Sequence, residues 1–429
     1  MNAYHRIKSQ LSILQRAKLH AQAFLVILNA IVFEHAVKRG FILGANTLTG
    51  LIPNMYEALD MVSRELVGFI PAVGRNSGVE RVALNQTVTI PIVPAIVGGD
   101  VTPGATPPSD GDQSFGNTTM TISKSRYWPV RWTGEEQRAV RSSGMLQSMQ
   151  TQQFAQAFRA ACNEVENDLA ALYSTTSRAF GTSGTAPFGT AGDLSDFAQS
   201  KKILDDNGAP RIGRRMVLGT TAMANLGGKQ SVLFKVNESG SDALLREGIV
   251  GRVEGFGVGD SAGVKTHTKG TNAGATTNAA GYAIGATVIT LAAAGTGTIV
   301  VGDAITFAGD TNQYVVASGD ADVSNGGTIT LAEPGLRQAI PAAATAITTT
   351  NSYAANMAFY QNAIQLATRA PALPEGGDMA DDRTFVADPL TGLQFEVSLY
   401  RQYRQIKIEV ALAWGVKNVQ PRHTMILKG

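Results

Sequence analysis

The chain has 429 residues, a formal net charge of +2 and a charged fraction of 16%. That length accommodates two or three domains with sizeable cores, and the charged fraction lies well below the roughly 25% of ordinary globular proteins. The balanced charge excludes an overall basic excess for holding a nucleic acid backbone. The single cysteine, Cys162, excludes an internal disulfide and fits a reducing compartment. So much neutral surface favours a protein that buries part of it in an assembly.

Residues 1–44 form an atypical leader. Basic residues precede the apolar run "AQAFLVILNAIVF" at 21–33, as in a secretory signal, but no small-residue cleavage site follows. The run is also too short to span a bilayer. An export or membrane role is one interpretation, and an amphipathic or buried helix is a second. The third, which we favour, is that the natural protein starts near Leu43 or Gly44 and the leader is translated upstream sequence. We therefore expect no membrane partner.

Residues 45–76 are predicted to form an N-terminal helical arm. Pro53 lies near the start of a helical pattern, and Pro71 is expected to stop it. Apolar residues recur at steps of three and four positions, namely Met55, Leu59, Val62 and Leu66. The other side of this predicted helix is acidic through Glu57, Asp60 and Glu65.

Residues 77–130 are predicted to form an extended hairpin loop. Two strands are indicated by apolar residues that alternate with polar ones, namely Val88, Ile90 and Ile92, then Met120 and Ile122. The stretch 95–117 between them is dense in Gly, Pro and Asp. A loop of this length inside a compact domain is usually functional or bound to a partner.

Residues 131–189 are predicted to contain a long spine helix within a peripheral domain. Thr133 and Glu136 have the spacing of a capping box, in which each side chain satisfies a free backbone N–H at the helix start. Apolar residues then keep helical spacing. A helix over 134–174 would be roughly 60 Å long, with a bend expected near 142–144.

Three further segments complete the predicted organisation. Residues 190–264 combine a helix ending at Asn207-Gly208 with a strand and a second helix, which indicates a small α/β axial domain. Between 265 and 352 the composition shifts to Ala, Thr and Gly. Four short strands with turns about every ten residues predict an inserted β-barrel-like domain there. Residues 353–429 return to the axial domain, in mixed α/β sequence, and close with strands of the peripheral domain.

The closing segment holds a long two-stranded hairpin, "LQFEVSLYRQYRQIKIEVALAWGVKNVQP", at 393–421. Strict alternation places each apolar set on one face of a strand. The tip is basic and aromatic, through Tyr400, Arg401, Tyr403 and Arg404. Such residues can stack on bases and meet phosphates, but a turn or a contact between subunits is the favoured interpretation.

No motif supports catalysis, a cofactor or a metal. "NLGGKQS" lacks the Ser or Thr that follows the lysine of a phosphate-binding loop, and "GFGVGD" has the wrong glycine spacing for a dinucleotide fold. The five histidines include no pair at metal-ligand spacing. Cys162 is expected to be a buried thiol of the spine. The pairs Asp205-Asp206 and Asp381-Asp382 are expected to be solvated turn residues.

The order of these parts resembles the capsid fold of tailed phages, the α+β HK-ninety-seven-like fold. More narrowly, four stretches resemble the P-twenty-two-like major coat proteins: "NTLTGLIPNMYEALDMVSRELVGFIPAV", "GDAITFAG", "ANMAFYQNAIQLATRAP" and "GLQFEVSLYRQYRQIKIEVALAWGVKNVQP". The likeness covers residues 45–429. It implies an N-terminal arm, an extended hairpin loop, a long spine helix and an inserted small all-β domain.

The resemblance also implies a function. It points to the major capsid protein of a tailed double-stranded DNA phage or prophage, assembled as an icosahedral procapsid in the bacterial cytoplasm and retained in the virion. The implied partners are further copies in hexamers and pentamers, a scaffolding protein, a portal, and packaged DNA bound without sequence specificity. The scaffolding contact carries over to Asp60, with Glu57 and Glu65 as nearby substitutes. The candidate contacts between subunits are Tyr400, Arg401, Tyr403 and Arg404.

Two other classes of protein remain alternatives. An encapsulin-like compartment shares the fold but encloses an enzyme instead of a genome, and a cargo gene beside this one would favour it. An enzyme of unknown type would be a single small particle in solution.

Overall fold

The computed structural model describes residues 68–92, 116–142, 146–230, 251–388 and 391–429, together with Met55, Val101 and Pro103. The leader, the acidic side of the predicted arm and the tip of the extended loop lie outside these residues. Within them, a few helices combine with several β-sheets, which confirms the predicted α+β class.

One of the described helices is long. In chain order they are α1 (Phe69–Ala72), α2 (Gly134–Ser142), α3 (Leu146–Ala171), α4 (Ser195–Asp206) and α5 (Thr220–Lys229). The predicted capping box is present at the start of α2. The Thr133 N–H donates to Glu136 Oε2 at 2.9 Å, and the Glu136 N–H donates to Thr133 Oγ1 at 3.3 Å. With 26 residues, α3 is about 39 Å long and forms the predicted spine.

The strands build two large sheets and a separate hairpin. In chain order they are β1 (Gly74–Val82), β2 (Thr87–Ile92), β3 (Gly116–Thr121), β4 (Lys124–Thr133), β5 (Arg178–Phe180), β6 (Arg214–Leu218), β7 (Arg252–Val253), β8 (Phe256–Asp260), β9 (Thr266–His267), β10 (Val288–Leu291), β11 (Ala304–Phe307), β12 (Gln313–Ser318), β13 (Gly327–Leu331), β14 (Ile347–Thr349), β15 (Tyr353–Tyr360), β16 (Ile364–Pro371), β17 (Asp382–Ala387), β18 (Gln394–Gln402), β19 (Gln405–Asn418) and β20 (Thr424–Lys428). The six-stranded sheet, called the peripheral sheet below, has the order β1–β16–β19–β18–β17. Strand β4 pairs with the edge of β19 that lies opposite β18. The 12-stranded axial sheet runs β10–β13–β12–β5–β20–β15–β6–β8–β7, with β9, β11 and β14 attached beside it.

Helix α3 packs across one face of the peripheral sheet. Phe158 of the helix and Phe395 of β18 have ring centroids 5.1 Å apart within one large core. Strands β18 and β19 are the predicted closing hairpin, paired antiparallel with Gln402 opposite Gln405. The predicted apolar face of β18 is buried, as alternation requires. Each large apolar side chain buried in this way contributes about 1.5–3 kcal/mol.

Two sequence predictions are wrong in this region. Pro71 does not stop a helix but is the third residue of α1. A backbone N–H in the first turn has no acceptor within the helix, so proline, which has no N–H, loses no hydrogen bond at this position. The stretch "ANMAFYQNAIQLATRAP" is not mixed α/β but two strands, β15 and β16, joined by a short turn of 3₁₀ helix at Gln361–Ala363. Strands buried on both faces lose the alternation that separates them from helices in sequence.

The predicted insertion, 265–352, builds strands around a core of its own. All four short strands that its sequence predicts are present. They do not form a separate sheet, however, because β12 pairs antiparallel with β5, with Gln313 opposite Ala179. The last strand, β20, pairs with β5 and β15, so the chain ends in the 12-stranded sheet.

Candidate functional site

The tip of the β18–β19 hairpin is a tight turn formed by Tyr403 and Arg404. Arg404 has a φ of 56°, and its carbonyl oxygen accepts a hydrogen bond from the Gly134 N–H at 3.0 Å. This bond fixes the tip against the first residue of α2. Tyr403 is 87% exposed, and the Arg404 guanidinium lies 5.6 Å from the centre of its ring. The tip therefore presents a braced pair of aromatic ring and cation to solvent.

The other two predicted tip residues contact their own chain. The Tyr400 hydroxyl donates to Asp378 Oδ2 at 2.8 Å, and the Arg401 N–H donates to Asp381 Oδ2 at 3.1 Å. The Arg401 guanidinium also lies 3.3 Å from the Asp381 carboxylate. Partial burial and the bond to Asp378 raise the pKa of Tyr400. Asp381 is therefore paired with Arg401 but exposed, as expected for a solvated turn carboxylate.

Strands β2 and β3 form a two-stranded antiparallel sheet of their own, with Thr87 opposite Thr121 and Ile92 opposite Gly116. The pairing predicted from their alternation is confirmed. Among the described residues neither strand pairs with any other strand. Apart from Met120, the side chains that the structure describes on both strands are exposed or half-exposed, so most of the described part of the hairpin is uncovered.

The base of this hairpin is fixed to the peripheral sheet. Met120 and Ile122 are fully buried against Val82, Ala367 and Ala413. A side chain at Gly415 of β19 would collide with the backbone carbonyl of Thr121, so glycine permits the close approach. Lys417 Nζ donates to Thr118 Oγ1 at 2.8 Å and to Thr119 O at 2.7 Å. The hairpin is thus rigid where it leaves the fold.

An ionic cluster ties the same base to the spine helix. Lys124, the first residue of β4, donates to Glu164 at 3.0 Å and to Asp168 at 2.8 Å, both in α3. Burial acts to lower the pKa of Lys124, but its bonds to Asp168 and Glu164 outweigh this and raise it. The Trp414 indole N–H donates to Asp168 Oδ2 at 2.9 Å, and Trp414 stacks on Trp128. This cluster was not predicted from the sequence. Its available signal was the pair of acids, Glu164 and Asp168, four positions apart on a predicted helix.

A second ionic network, also missed, lies on the opposite face of the peripheral sheet. Glu396 of β18 is only 3% exposed, although its place in the alternation predicts a solvent-facing side chain. Its carboxylate accepts from Arg81 at 2.8 and 3.0 Å, and Arg383 Nε lies 2.6 Å from it. The network joins β1, β17 and β18, and Asp378 contributes to it through Arg383.

The described residues include no group of three or more His, Cys, Asp and Glu that could hold a metal ion. His267 is buried between the Tyr173 hydroxyl, 3.0 Å from Nδ1, and Asp303, 2.9 Å from Nε2. Asp303 also accepts backbone N–H groups of the inserted segment, so these bonds join the end of the spine to that segment. Cys162 is 2% exposed, which confirms the predicted buried thiol.

The prediction for Asp205-Asp206 is wrong. Both residues belong to the last turn of α4 and pair with nearly fully buried arginines, Asp205 with Arg214 at 2.6 Å and Asp206 with Arg178 at 3.2 Å. Burial acts to raise the pKa of Asp205, but the bond to Arg214 outweighs it and lowers the pKa. The arginines come from β5 and β6, whose contact with α4 is tertiary and has no local signal.

None of the described helices is both long and apolar enough to cross a membrane. No protein-family model matches the chain, and no curated protein matches it. Solved structures do match. The capsid of the cyanophage P-SCSP1u is 12% identical over 83% of this chain and 86% of that one, with a TM-score of 0.43.

Two further matches have comparable scores. A structure from Mycobacterium phage Che8 is 13% identical over 80% of this chain and 84% of that one, with a TM-score of 0.39. A virus-like particle from Pyrococcus furiosus is 8% identical over 88% of this chain and 99% of that one, with a TM-score of 0.39. At these identities the likeness concerns the fold. The cyanophage match is a capsid structure, and the Pyrococcus match is a virus-like particle.

Proposed function

We propose that this chain is the major capsid protein of a tailed double-stranded DNA phage or prophage, many copies of which close an icosahedral shell around the genome. The observation that carries the proposal is the β2–β3 hairpin. It is locked at its base to both the peripheral sheet and the spine helix, while the rest of its described length is paired only with itself.

A two-stranded hairpin alone is at best marginally stable in water, so a long one needs further structure against its faces. Here Val88 and Ile90 are half-buried against the cluster of Met120, and Lys417 binds Thr118 and Thr119. The other described side chains at 87–91 and 116–119 are exposed or half-exposed. A neighbouring copy that covers these strands would supply the missing packing. The rigid base would then transmit force from the hairpin to α3 through the bonds of Lys124.

The other partners follow from the same proposal. Tyr403 and Arg404, exposed and braced, would contact a neighbouring subunit, while Tyr400 and Arg401 would support them from within. Scaffolding protein would bind the acidic side of the arm at Glu57, Asp60 and Glu65. Assembly in the bacterial cytoplasm, a portal and packaged double-stranded DNA complete the proposal, and it assigns the chain no catalytic activity and no cofactor.

Replacing the hairpin tests the proposal. The Asn85 N–H donates to Ile122 O at 3.0 Å, so a two-residue Gly-Gly turn can replace 86–121 without moving β1 or β4. Sedimentation velocity with scaffolding protein present is expected to show large particles for the full chain and a folded monomer for the variant. Met379→Ser, which changes an exposed apolar residue outside the hairpin, serves as the control and is expected to assemble. Assembly of the hairpin variant into normal particles would contradict the proposal.

A further inference from the structure

A buried carboxylate of the spine holds the segment where the predicted N-terminal arm joins the fold. Glu166, inside α3, is 3% exposed. Its Oε1 accepts hydrogen bonds from the backbone N–H groups of Gly68 and Phe69, both at 2.7 Å, and its Oε2 accepts one from Ile70 at 3.0 Å. The Ser261 hydroxyl is a fourth donor, 2.7 Å from Oε1. One side chain therefore satisfies the free N–H groups at the start of α1.

The packing around α1 permits little adjustment. Phe69 and Ile70 are fully buried, and Phe69 stacks on Phe359 with ring centroids 6.4 Å apart. A side chain at Gly68 would collide with the backbone carbonyl of Asp260, so residue 68 lies directly against the end of β8. The three N–H groups are therefore held in a fixed position, and it is the carboxylate that completes the contact.

No cation shares this carboxylate among the described residues. The charged groups on the surrounding segments are Asp260 and Lys265 near the end of β8, and Glu164 and Asp168 on α3. Lys265 donates to Asn167 Oδ1 at 2.8 Å, and both acids of α3 bind Lys124. Burial raises the pKa of Glu166, and its four hydrogen bonds offset part of that effect. Protonation therefore occurs at a higher pH than for an exposed glutamate.

We propose that Glu166 is a proton-controlled latch on the root of the N-terminal arm: the ionised carboxylate holds residues 68–70, and its protonation releases them. The reason is the donor count. All four groups that face the carboxylate donate, and an ionised carboxylate only accepts, whereas a protonated one carries an O–H that must also donate. The Ser261 hydroxyl can turn round and accept this O–H, but the N–H groups of residues 68–70 cannot reverse. Their charge-assisted bonds to the carboxylate become weaker bonds to a neutral carboxyl. The latch belongs to the single subunit and does not require a shell.

Hydrogen exchange of the full-length chain tests the latch, because the amides of residues 68–70 are themselves the donors. Exchange is compared between the wild type and Glu166→Gln at the same pH, from pH 8 to pH 5, so that intrinsic rates cancel. At pH 8 we expect these amides to exchange about tenfold or more faster in the variant. The ratio of the two exchange rates, variant over wild type, should fall toward pH 5 as the wild-type carboxyl takes up its proton.

Two further variants make the test specific. Glu164→Gln, on the same helix but bonded to Lys124, is the matched control and is expected to leave residues 68–70 unchanged. Ser261→Ala removes one donor from the anion, so it should move the release of residues 68–70 to higher pH. A ratio near one at pH 8, or a ratio that does not change between pH 8 and pH 5, would overturn the proposal. If Glu166→Gln does not fold, the test is the pH at which residues 68–70 are released in Ser261→Ala. A release pH at or below that of the wild type would overturn the proposal.

Discussion

Replacing Lys428 by methionine is expected to stabilise the subunit. Lys428 lies in β20 and is 2% exposed. Within the described chain its ammonium forms no ion pair, and the Tyr353 ring, with its centre 5.9 Å away, is the group that faces the charge. Burial lowers the pKa of Lys428 from 10.5 to about 8. At pH 7 the folded chain therefore carries a buried cation that the unfolded chain keeps in water.

The size of the effect follows from that pKa. The difference between 10.5 and about 8 corresponds to roughly 3 kcal/mol of folding free energy lost at neutral pH. Methionine has a similar length and no charge, so it removes this cost. It also removes the contact between the ammonium and the Tyr353 ring, which is worth about 1 kcal/mol. The net expectation for Lys428→Met is a gain of about 2 kcal/mol at pH 7.

Urea unfolding of the unassembled subunit at several pH values measures this gain. The folded Lys428 has the lower pKa, so between about pH 8 and 10.5 the unfolded chain holds a proton that the folded chain has released. Wild-type stability contributed by this group therefore rises with pH across that window, and the advantage of the variant disappears. Exposed Lys229→Met is the control and should change stability by less than about 0.5 kcal/mol. A variant less stable than wild type at pH 7 would refute the reasoning.

Three smaller predictions address other contacts. Thr133→Ala removes the acceptor of the Glu136 N–H and should cost about 1 kcal/mol in urea unfolding. The Thr133 backbone N–H, the main group that lowers the pKa of Glu136, is kept in the variant, so most of this cost should persist at low pH. Gly415→Ala places a side chain against the Thr121 carbonyl. It should abolish particles in electron micrographs while circular dichroism keeps a folded spectrum, and normal particles would contradict the close approach. Glu396→Gln leaves two half-buried arginines, Arg81 and Arg383, without their carboxylate and should cost about 2 kcal/mol by urea unfolding. A stability equal to that of the wild type would show that water replaces the pairing.

Local patterns in the sequence predicted the local structure well. The capping box at Thr133 and the alternation of β2, β3, β18 and β19 depend on spacings of a few residues, and the structure contains all of them. Alternation predicted a solvent-facing side chain at Glu396, which is buried because the strand is covered on both faces. The second face is covered by a distant segment of the chain, which the local pattern does not reveal.

The contacts that fix the candidate site could not be predicted in the same way. Lys124 meets acids 40 and 44 positions away, and Glu166 meets N–H groups nearly a hundred positions earlier. Such pairings are determined by the tertiary fold. A charged residue on a predicted helix is therefore interpreted as solvent-exposed until its partner is known. The arm residues Glu57, Asp60 and Glu65 stay predictions, since they lie outside the described residues.

Electron microscopy of the full-length chain, expressed with and without scaffolding protein, tests the shell assignment most directly. We predict closed particles of uniform diameter in the presence of scaffolding protein, with the hairpin of each subunit lying against a neighbour. Uniform closed particles that form without scaffolding protein and enclose an enzyme would favour the compartment alternative. A homogeneous monomer under both conditions would contradict the assignment.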